Sequence, residues 1–471
     1  MPQKVRYDFV IIGGGPTGST AATYLARKNF KVLVLEKEKF PRQHVGESLL
    51  PFCYPLFKEL GVLDEMKKRF VRKPGVRFSN HNGKHSSTWC FRSFIHDESY
   101  LSFHVVRADF DKMLLDNARR NGADVLEEAR VENVYLDNPD DTATIFYSHQ
   151  NEQVRIKANY VIDASGQDTF LGKRLGGKNA YQDLDRIAFL THWKGAEYTQ
   201  GVDVGLLQIV YLEEHKGGWF GLQPVGKDRI SVGLVIDRKY LKAEKARLTL
   251  AGVSEWQKAL YLQEIENCAL TKRILKDARI AQPLIIVSDY SYFLDKTYGK
   301  NYAVLGDAGK FLDPIFASGV YLGMNSSKMF ADALEIYFRK SKAEGLEAIE
   351  TASKHINGAY DLVEKFINIF YNPKSFNLAE MSSVSESNYP NYETAFSLVH
   401  YLLAGDFFGR YETYSKFLDL LSNPRQFAMW KNLVKFRPHE NEGNCGTTFE
   451  KIFGDIDDAY VKATSINHSE A

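Results

Sequence analysis

Cysteine is scarce in this chain: four residues (Cys53, Cys90, Cys268, Cys445) in 471, far apart, with no CxxC and no metal-ligand spacing. That pattern offers neither a disulfide framework nor a zinc site. Charge of one sign is not in excess either, since 60 Lys+Arg face 59 Asp+Glu for a net charge of +1. A nucleic-acid binder would need a basic surplus gathered into a patch, so that class is disfavoured. No stretch approaches the length of a transmembrane helix. The first residues, Met1-Pro2-Gln3-Lys4-Val5-Arg6, run straight into a short apolar strand without a signal-peptide core, so a cytoplasmic protein is the expectation. Internal repeats and low-complexity linkers are absent. What is plentiful is apolar matter: 44% hydrophobic residues and 13% aromatic ones, with 31 Phe and 26 Tyr. The length accommodates two or three domains with a sizeable core.

The opening forty residues read as a β-α-β unit. Tyr7–Ile12 is a short buried strand, Gly13-Gly14-Gly15-Pro16-Thr17-Gly18 a turn, Ser19–Arg27 a helix, and Lys31–Leu35 a second strand ending at Glu36. Two distant segments read as further strands of the same sheet: Tyr160–Asp163 leading into Ala164-Ser165-Gly166, and Tyr302–Leu305 leading into Gly306-Asp307-Ala308-Gly309. Between them, from about 186 to 298, apolar residues alternate with small or polar ones, as in Ile230-Ser231-Val232-Gly233-Leu234, which predicts half-buried antiparallel strands. Residues 318–340 and 352–437 carry helical patterns, the latter rich in aromatics, and a polar tail follows. The expected organisation is an α/β protein: a discontinuous nucleotide-binding domain (1–78, 105–185 and 299–345), an inserted β-rich domain (79–104 and 186–298), a helical C-terminal region (346–437) and the tail 438–471.

Glycines cluster at turns everywhere, so a GxGxxG pattern alone says little. Here it follows a strand, opens a helix and has an acid about twenty positions on, which completes the dinucleotide fingerprint. Gly13 makes the turn, Gly15 lets a pyrophosphate reach the backbone, and Gly18 lets the helix pack on the strand. The helix N-terminus supplies free N–H groups to the phosphates. Glu36 is placed for ribose hydroxyls, which favours FAD or NAD over NADP.

Three segments resemble signatures of the flavoprotein monooxygenases. Gly306-Asp307 is similar to their GD motif, in which the aspartate holds the ribityl chain. Arg107-Ala108-Asp109-Phe110-Asp111-Lys112-Met113-Leu114-Leu115 is similar to their R-x-x-F-D-x-x-L-L helix, and Asp163-Ala164-Ser165-Gly166 to their third strand-to-flavin turn. Within that superfamily, Phe40-Pro41-Arg42-Gln43-His44-Val45-Gly46-Glu47-Ser48-Leu49-Leu50-Pro51 closely resembles the FPR-x-x-x-GESLLP segment of flavin-dependent halogenases and halogenase-like oxidoreductases. Lys73 falls where those enzymes carry the lysine that handles hypohalous acid. Phe311-Leu312-Asp313-Pro314-Ile315-Phe316-Ala317-Ser318-Gly319-Val320 resembles the segment whose backbone amides hold halide. The likeness spans roughly residues 6–370.

The resemblance implies a Rossmann-type FAD-binding domain with an inserted antiparallel substrate sheet. It also implies a chemistry: reduced FAD and O2 give a flavin hydroperoxide, chloride or bromide held by the amides of Ser318 and Gly319 attacks it, and the hypohalous acid travels to Lys73. There a chloramine or a hydrogen-bonded acid delivers halogen to an electron-rich arene, a phenol or pyrrole, free or tethered to an acyl or peptidyl carrier protein. By the same resemblance Arg42, Ser48, Arg107, Asp307, Pro314 and Gly319 shape the flavin site, with Glu47 and His44 beside them. A separate flavin reductase is implied as well, since no second Rossmann unit for a nicotinamide is visible. Lys73 also has a plainer reading, because Lys67, Lys68, Arg69 and Arg72 surround it in sequence and a solvated basic stretch would look the same. No partner pattern marks His104 or His192.

Two departures from the family pattern bear on function. The W-x-W-x-I-P signature reads Trp219-Phe220-Gly221-Leu222-Gln223-Pro224, and Ala317 stands where the halide segment has serine. Loss of bulk at Gly221 and Gln223 leaves direct hydroxylation at the flavin open as an alternative. A geranylgeranyl-reductase-like activity and a flavin-binding sensor are further alternatives on the same scaffold.

Overall fold

The computed structural model describes residues 6–136, 138–181, 184–197, 205–288, 291–372, 378–379 and 398–422. The tail 438–471, and Tyr389, Tyr392 and Phe396 of the aromatic C-terminal stretch, lie outside them.

Strands of β-branched and aliphatic residues build the first sheet. Arg6–Ile12 sits at its centre, parallel to Val32–Leu35 on one side and to Glu152–Asp163 on the other. Tyr302–Val304 and Asp124–Leu126 extend it in parallel at the flanks. The three pieces separated by well over a hundred residues therefore meet in one sheet, as the sequence predicts. Such strands are covered on both faces, which is why they read as unbroken apolar runs. The helix Pro16–Arg27 starts three residues earlier than its apolar periodicity predicts, because Pro16 suits the first helical position. It packs between Arg107–Arg120 and Gly319–Arg339. The Gly323 position, where a Cβ would lie 2.3 Å from Thr17 Oγ1, lets the last pair approach closely.

The second sheet takes strands from 75–90 and from 186–287. Gly75–Ser79 pairs parallel to Leu207–Tyr211, so residues 75–78, grouped by sequence with the nucleotide-binding part, lie in this sheet. The strands of 186–287 pair antiparallel as expected, but the central ones are buried on both faces rather than half-buried. In Arg229–Asp237 the residues Ile230, Val232, Leu234 and Ile236 pack in an apolar cluster with Leu260, Tyr261 and Ile274 from the helices outside. The opposite face, with Gly233 and Val235, turns to an internal cavity. The small residues therefore face a cavity rather than water.

The helix Lys342–Tyr371 is capped by Ser341, whose Oγ accepts from the Glu344 N–H at 3.4 Å. It ends just before Asn372-Pro373, where a proline disfavours helix in the preceding residue. It packs along Gly319–Arg339 and against Tyr411–Ser422. Among the described residues no helix is long and apolar enough to cross a membrane, and no group of three His, Cys, Asp or Glu could hold a metal. Cys53 and Cys268 are free, and Cys90 is disulfide-bonded, which the wide spacing of the cysteines gave no sign of.

Candidate active site

The C-terminal ends of the first sheet's strands open into a cavity of about 570 Å³. Gly13 (φ +100°) brings the first strand so close to the third turn that a Cβ would lie 2.4 Å from Ala164 O, and a Cβ at Gly18 would lie 2.0 Å from Gly13 O. Gly15 instead faces the cavity, where only Arg42 Nη2 approaches, at 3.5 Å from a built Cβ. No side chain caps this helix, so its first-turn N–H groups are left for an anion. Glu36 closes the other end, its Oε2 accepting from Gly14 N–H at 2.7 Å and Oε1 from Glu38 N–H at 2.8 Å, with lone pairs to spare.

Two arginines share one buried carboxylate at the cavity wall. Arg107 donates Nε to Asp111 Oδ1 at 2.7 Å and Nη2 to Oδ2 at 2.9 Å, and Arg42 Nη1 donates to Oδ2 at 3.1 Å. Two guanidiniums against one carboxylate leave a net positive charge facing the cavity. Arg107 also donates to Val45 O, which ties the 44–48 segment to the site. Burial drives His44 down to about 4, reinforced by Arg107, so the ring is neutral, and its Nδ1 lies 2.9 Å from Val45 O. Burial raises Asp307 to about 6, against the pull of Arg107. A phosphate-binding helix start, an acid for a ribose, paired arginines and a carboxyl at the inner end form a donor set that fits FAD. Gly13, Gly15, Glu36, Arg42, Arg107, Asp307 and Gly319 all line this cavity, and Gly18 shapes the turn behind it.

A smaller cavity of about 140 Å³ continues inward, sharing His44, Val45, Arg107, Asp307 and Gly319 with the first. Ser48, Pro314 and Ser318 line it, as does the inner face of the second sheet at Gly221, Gln223 and Gly233. Gly221 pairs with Gly233, so neither strand puts a side chain there. Ala317 sits in the left-handed region (φ +53°), turning the chain into the helix that begins at Gly319. The amides of Ser318 and Gly319 stand at that helix start.

Contacts across the chain that sequence gave no sign of complete the wall. His192 Nε2 lies 3.0 Å from both carboxylate oxygens of the buried Glu47. Asp313 accepts the Ile315 N–H at 3.1 Å on Oδ1 and the Tyr371 hydroxyl at 2.9 Å on Oδ2, while Trp219 Nε1 donates to the Tyr371 oxygen at 2.7 Å. Arg186 stacks on the Tyr371 ring at 3.4 Å. Burial raises Asp313 to about 6, with Arg186 opposing.

Lys73 lines neither cavity. It is 1% exposed, which overturns the reading as a solvated charge. Its Nζ donates to Leu49 O at 3.0 Å and lies 5.4 Å from the Phe91 ring centre. Burial lowers it to about 7, with Cys53 opposing slightly. The neighbouring helix Leu63–Arg69 carries Lys67, Lys68 and Arg69 on its last turn, so the basic run and the buried lysine are separate features.

The FAD binding domain family matches residues 6–357. Flavin-dependent halogenase armH3 of Armillaria mellea is 30% identical over 75% of this chain and 72% of its own length. The 1H-pyrrole-2-carbonyl-[peptidyl-carrier protein] chlorinase of Pseudomonas fluorescens is 30% identical over 69% of this chain and 74% of its own. The chain belongs to the flavin-dependent halogenase family. Solved structures agree: the halogenase CmlS superposes with a TM-score of 0.73 at 26% identity, covering 97% of this chain and 78% of that one. The myxobacterial chondrochloren halogenase CndH gives 0.70 at 25%, covering 98% and 97%. As a member of this halogenase family the protein is an FAD-dependent enzyme of the oxidoreductase type, and the Rossmann-type domain plus second sheet is the family's fold.

Proposed function

We propose that this enzyme chlorinates or brominates an electron-rich aromatic metabolite of phenol or pyrrole type, free or carrier-protein-bound. The observation that carries the proposal is Lys73: a fully buried lysine, lowered by burial to about 7, has no role on a surface and suits the handling of an electrophile. Bound FAD, reduced by a separate reductase, supplies with O2 the oxidising equivalent that turns halide into hypohalous acid. The residues do the rest. The amides of Ser318 and Gly319 at a helix start hold the halide, since such N–H groups bind anions. Gly13, Gly15, Gly18, Glu36, Arg42, Arg107 and Asp307 fix the cofactor, and Ser48 and Pro314 shape its inner pocket. Lys73 receives the acid HO–X, its amine either forming N–X with release of water or donating a hydrogen bond that sharpens the halogen as an electrophile. The arene's attack on halogen then releases a proton. Enclosure keeps the oxidant from bulk water.

In the same proposal, the second sheet and the C-terminal helices form the substrate side. Of the aromatics in the 387–415 stretch that we assign to its wall, Phe407, Phe408 and Tyr411 are described, with Phe408 in edge contact with Tyr321 at 5.5 Å. The facing glycines Gly221 and Gly233 favour one second reading, direct hydroxylation of a substrate lodged against the cofactor.

The deciding experiment gives the purified enzyme reduced FAD, O2 and chloride or bromide with a panel of phenols, pyrroles and indoles, and reads products by mass. Halogenated product lost in Lys73→Ala is expected. Halide-independent hydroxylated product, or full halogenation by the variant, would sink the proposal.

A further inference from the structure

Turning halide into hypohalous acid consumes protons as well as halide. Reduced FAD, O2 and halide balance only with them: FADH− + O2 + X− + 2 H+ gives FAD + HOX + H2O. Two negative charges vanish in an enclosed site, so protons must reach the inner cavity through buried groups able to carry one. Four titratable side chains line that cavity among the described residues: His44, Glu47, Arg107 and Asp307. His44 is neutral, with Nδ1 2.9 Å from Val45 O, Arg107 is paired with Asp111, and Asp307 sits in the field of Arg107. Glu47 leads away from the cofactor.

Glu47 is buried, and both its carboxylate oxygens lie 3.0 Å from His192 Nε2, which places the ring's proton on that nitrogen. His192 belongs to the strand Arg186–Lys194 and stands opposite Ser231 of the strand Arg229–Asp237. Opposed residues share a face of a sheet, and so do residues two apart along a strand. Ser231 is two residues from the cavity-lining Gly233, so His192 and Ser231 turn to that same side. There His192 Nδ1 and Ser231 Oγ are buried, with no hydrogen-bond partner among the described residues. Buried polar atoms in folded proteins are paired, by ordered water where no protein group reaches them. Two residues further along this face, Lys194 ends one strand and Arg229 starts the other, both half-buried at the sheet's outer end. The pair His192 and Ser231 therefore lies between the cavity and solvent.

We propose that Glu47, His192 and Ser231 form the proton line of the halide-oxidising step: Glu47 gives its proton into the cavity, His192 refills it through Nε2, and water held between His192 Nδ1 and Ser231 Oγ refills His192. It rests on the halide oxidation proposed above. An imidazole suits the middle place, because a proton arriving at Nδ1 lets the one on Nε2 leave. Each hop moves one proton and breaks no bond between heavy atoms. His192 and Ser231 act through Glu47.

His192→Gln keeps a donor for Glu47 but cannot pass a proton on, and Ser231→Ala removes the hydroxyl alone. Each FAD-loaded enzyme is reduced and mixed rapidly with O2, with and without bromide, and the return of oxidised-flavin absorbance is followed from pH 6 to pH 9. Bromide is expected to speed that return in wild type. In His192→Gln the bromide-dependent rate should fall about ten-fold or more at pH 8 and depend on pH more steeply than in wild type, since its protons come from solution. Ser231→Ala should lose about three-fold in the same direction, with FAD affinity within about two-fold in both variants. Wild-type rates and pH profile in both variants would overturn the proton line and leave halide oxidation standing. No acceleration by bromide in wild type would overturn both. A crystal structure of the FAD-loaded enzyme decides independently of turnover: a water bonded to His192 Nδ1 and Ser231 Oγ is expected, and a dry site would refute the line.

Discussion

Burial lowers Lys73 far below an ordinary lysine, and this ties stability to pH in a definite direction. Its folded value, about 7, lies below the ordinary 10.5, so the unfolded chain holds the extra proton between them. The penalty is fully present below pH 7 and fades as pH rises from about 7 towards 10.5. Lys73→Met is therefore expected to be more stable than wild type at pH 6, by several degrees in Tm, with the gap narrowing by pH 9. Urea titrations at the two pH values check it, and a constant gap would contradict it. Where the amine itself accepts halogen, halogenation per flavin oxidised should also rise with pH through about 7. Gly18 makes a second test at this scale. A Cβ there meets Gly13 O at 2.0 Å, so Gly18→Ala must displace the phosphate-binding turn. FAD affinity should fall by about ten-fold or more, roughly 1.4 kcal/mol, in a fluorescence titration.

Single residues were unevenly legible in the sequence. Gly13, Gly15, Gly18 and Glu36 follow from the needs of a backbone passing close to a phosphate, and those needs are local. Lys73 was ambiguous because charge density in sequence says nothing of burial: Lys67, Lys68 and Arg69 end one helix, while Lys73 lies in the strand that follows. His192 carried no sign at all, since its partner Glu47 lies 145 residues away.

At the scale of elements, the turn we propose for halide is held by a helix outside it. The Tyr371 hydroxyl sits between Trp219 Nε1 and Asp313 Oδ2, and Asp313 holds the Pro314–Phe316 turn through Ile315 N–H. Removing it in Tyr371→Phe leaves a buried carboxylate short of one donor, a loss of about 1 kcal/mol or more. The apparent KM for bromide should rise about five- to ten-fold while FAD affinity stays within two-fold. An unchanged KM would show the turn to be rigid without the tyrosine. Alternation in the 186–298 strands gave their existence but not their setting. Small residues such as Ser231 and Gly233 look alike in sequence whether they face water or a cavity.

For the whole molecule, the first cavity gathers residues from 12–45, 107, 129–131, 164–170, 285–287 and 305–320. A cofactor there would bridge pieces of chain far apart in sequence. Free FAD at a hundred times its Kd should add about 2.7 kcal/mol of stability, read as a Tm rise over the apoprotein. The discontinuous Rossmann-type domain was readable because three of its strands end in glycine or aspartate signatures, at Gly13, at Asp163 and at Gly306-Asp307. The second sheet's outer helices and the wrapping of Lys342–Tyr371 were not, because helix-to-sheet docking leaves only amphipathic patterning behind.

The tyrosine that ends the long C-terminal helix has one more consequence. In the proposed function the C-terminal helices and the inner face of the second sheet form the substrate side, and here the two meet at Tyr371, whose hydroxyl donates to the Asp313 that holds the 314–316 turn. On that proposal substrate preference and halide preference are not separable modules. A C-terminal region exchanged for that of a relative would transplant cleanly only if it brought a hydroxyl to the same spot, and chimeras lacking it should change which halide they use as well as which arene.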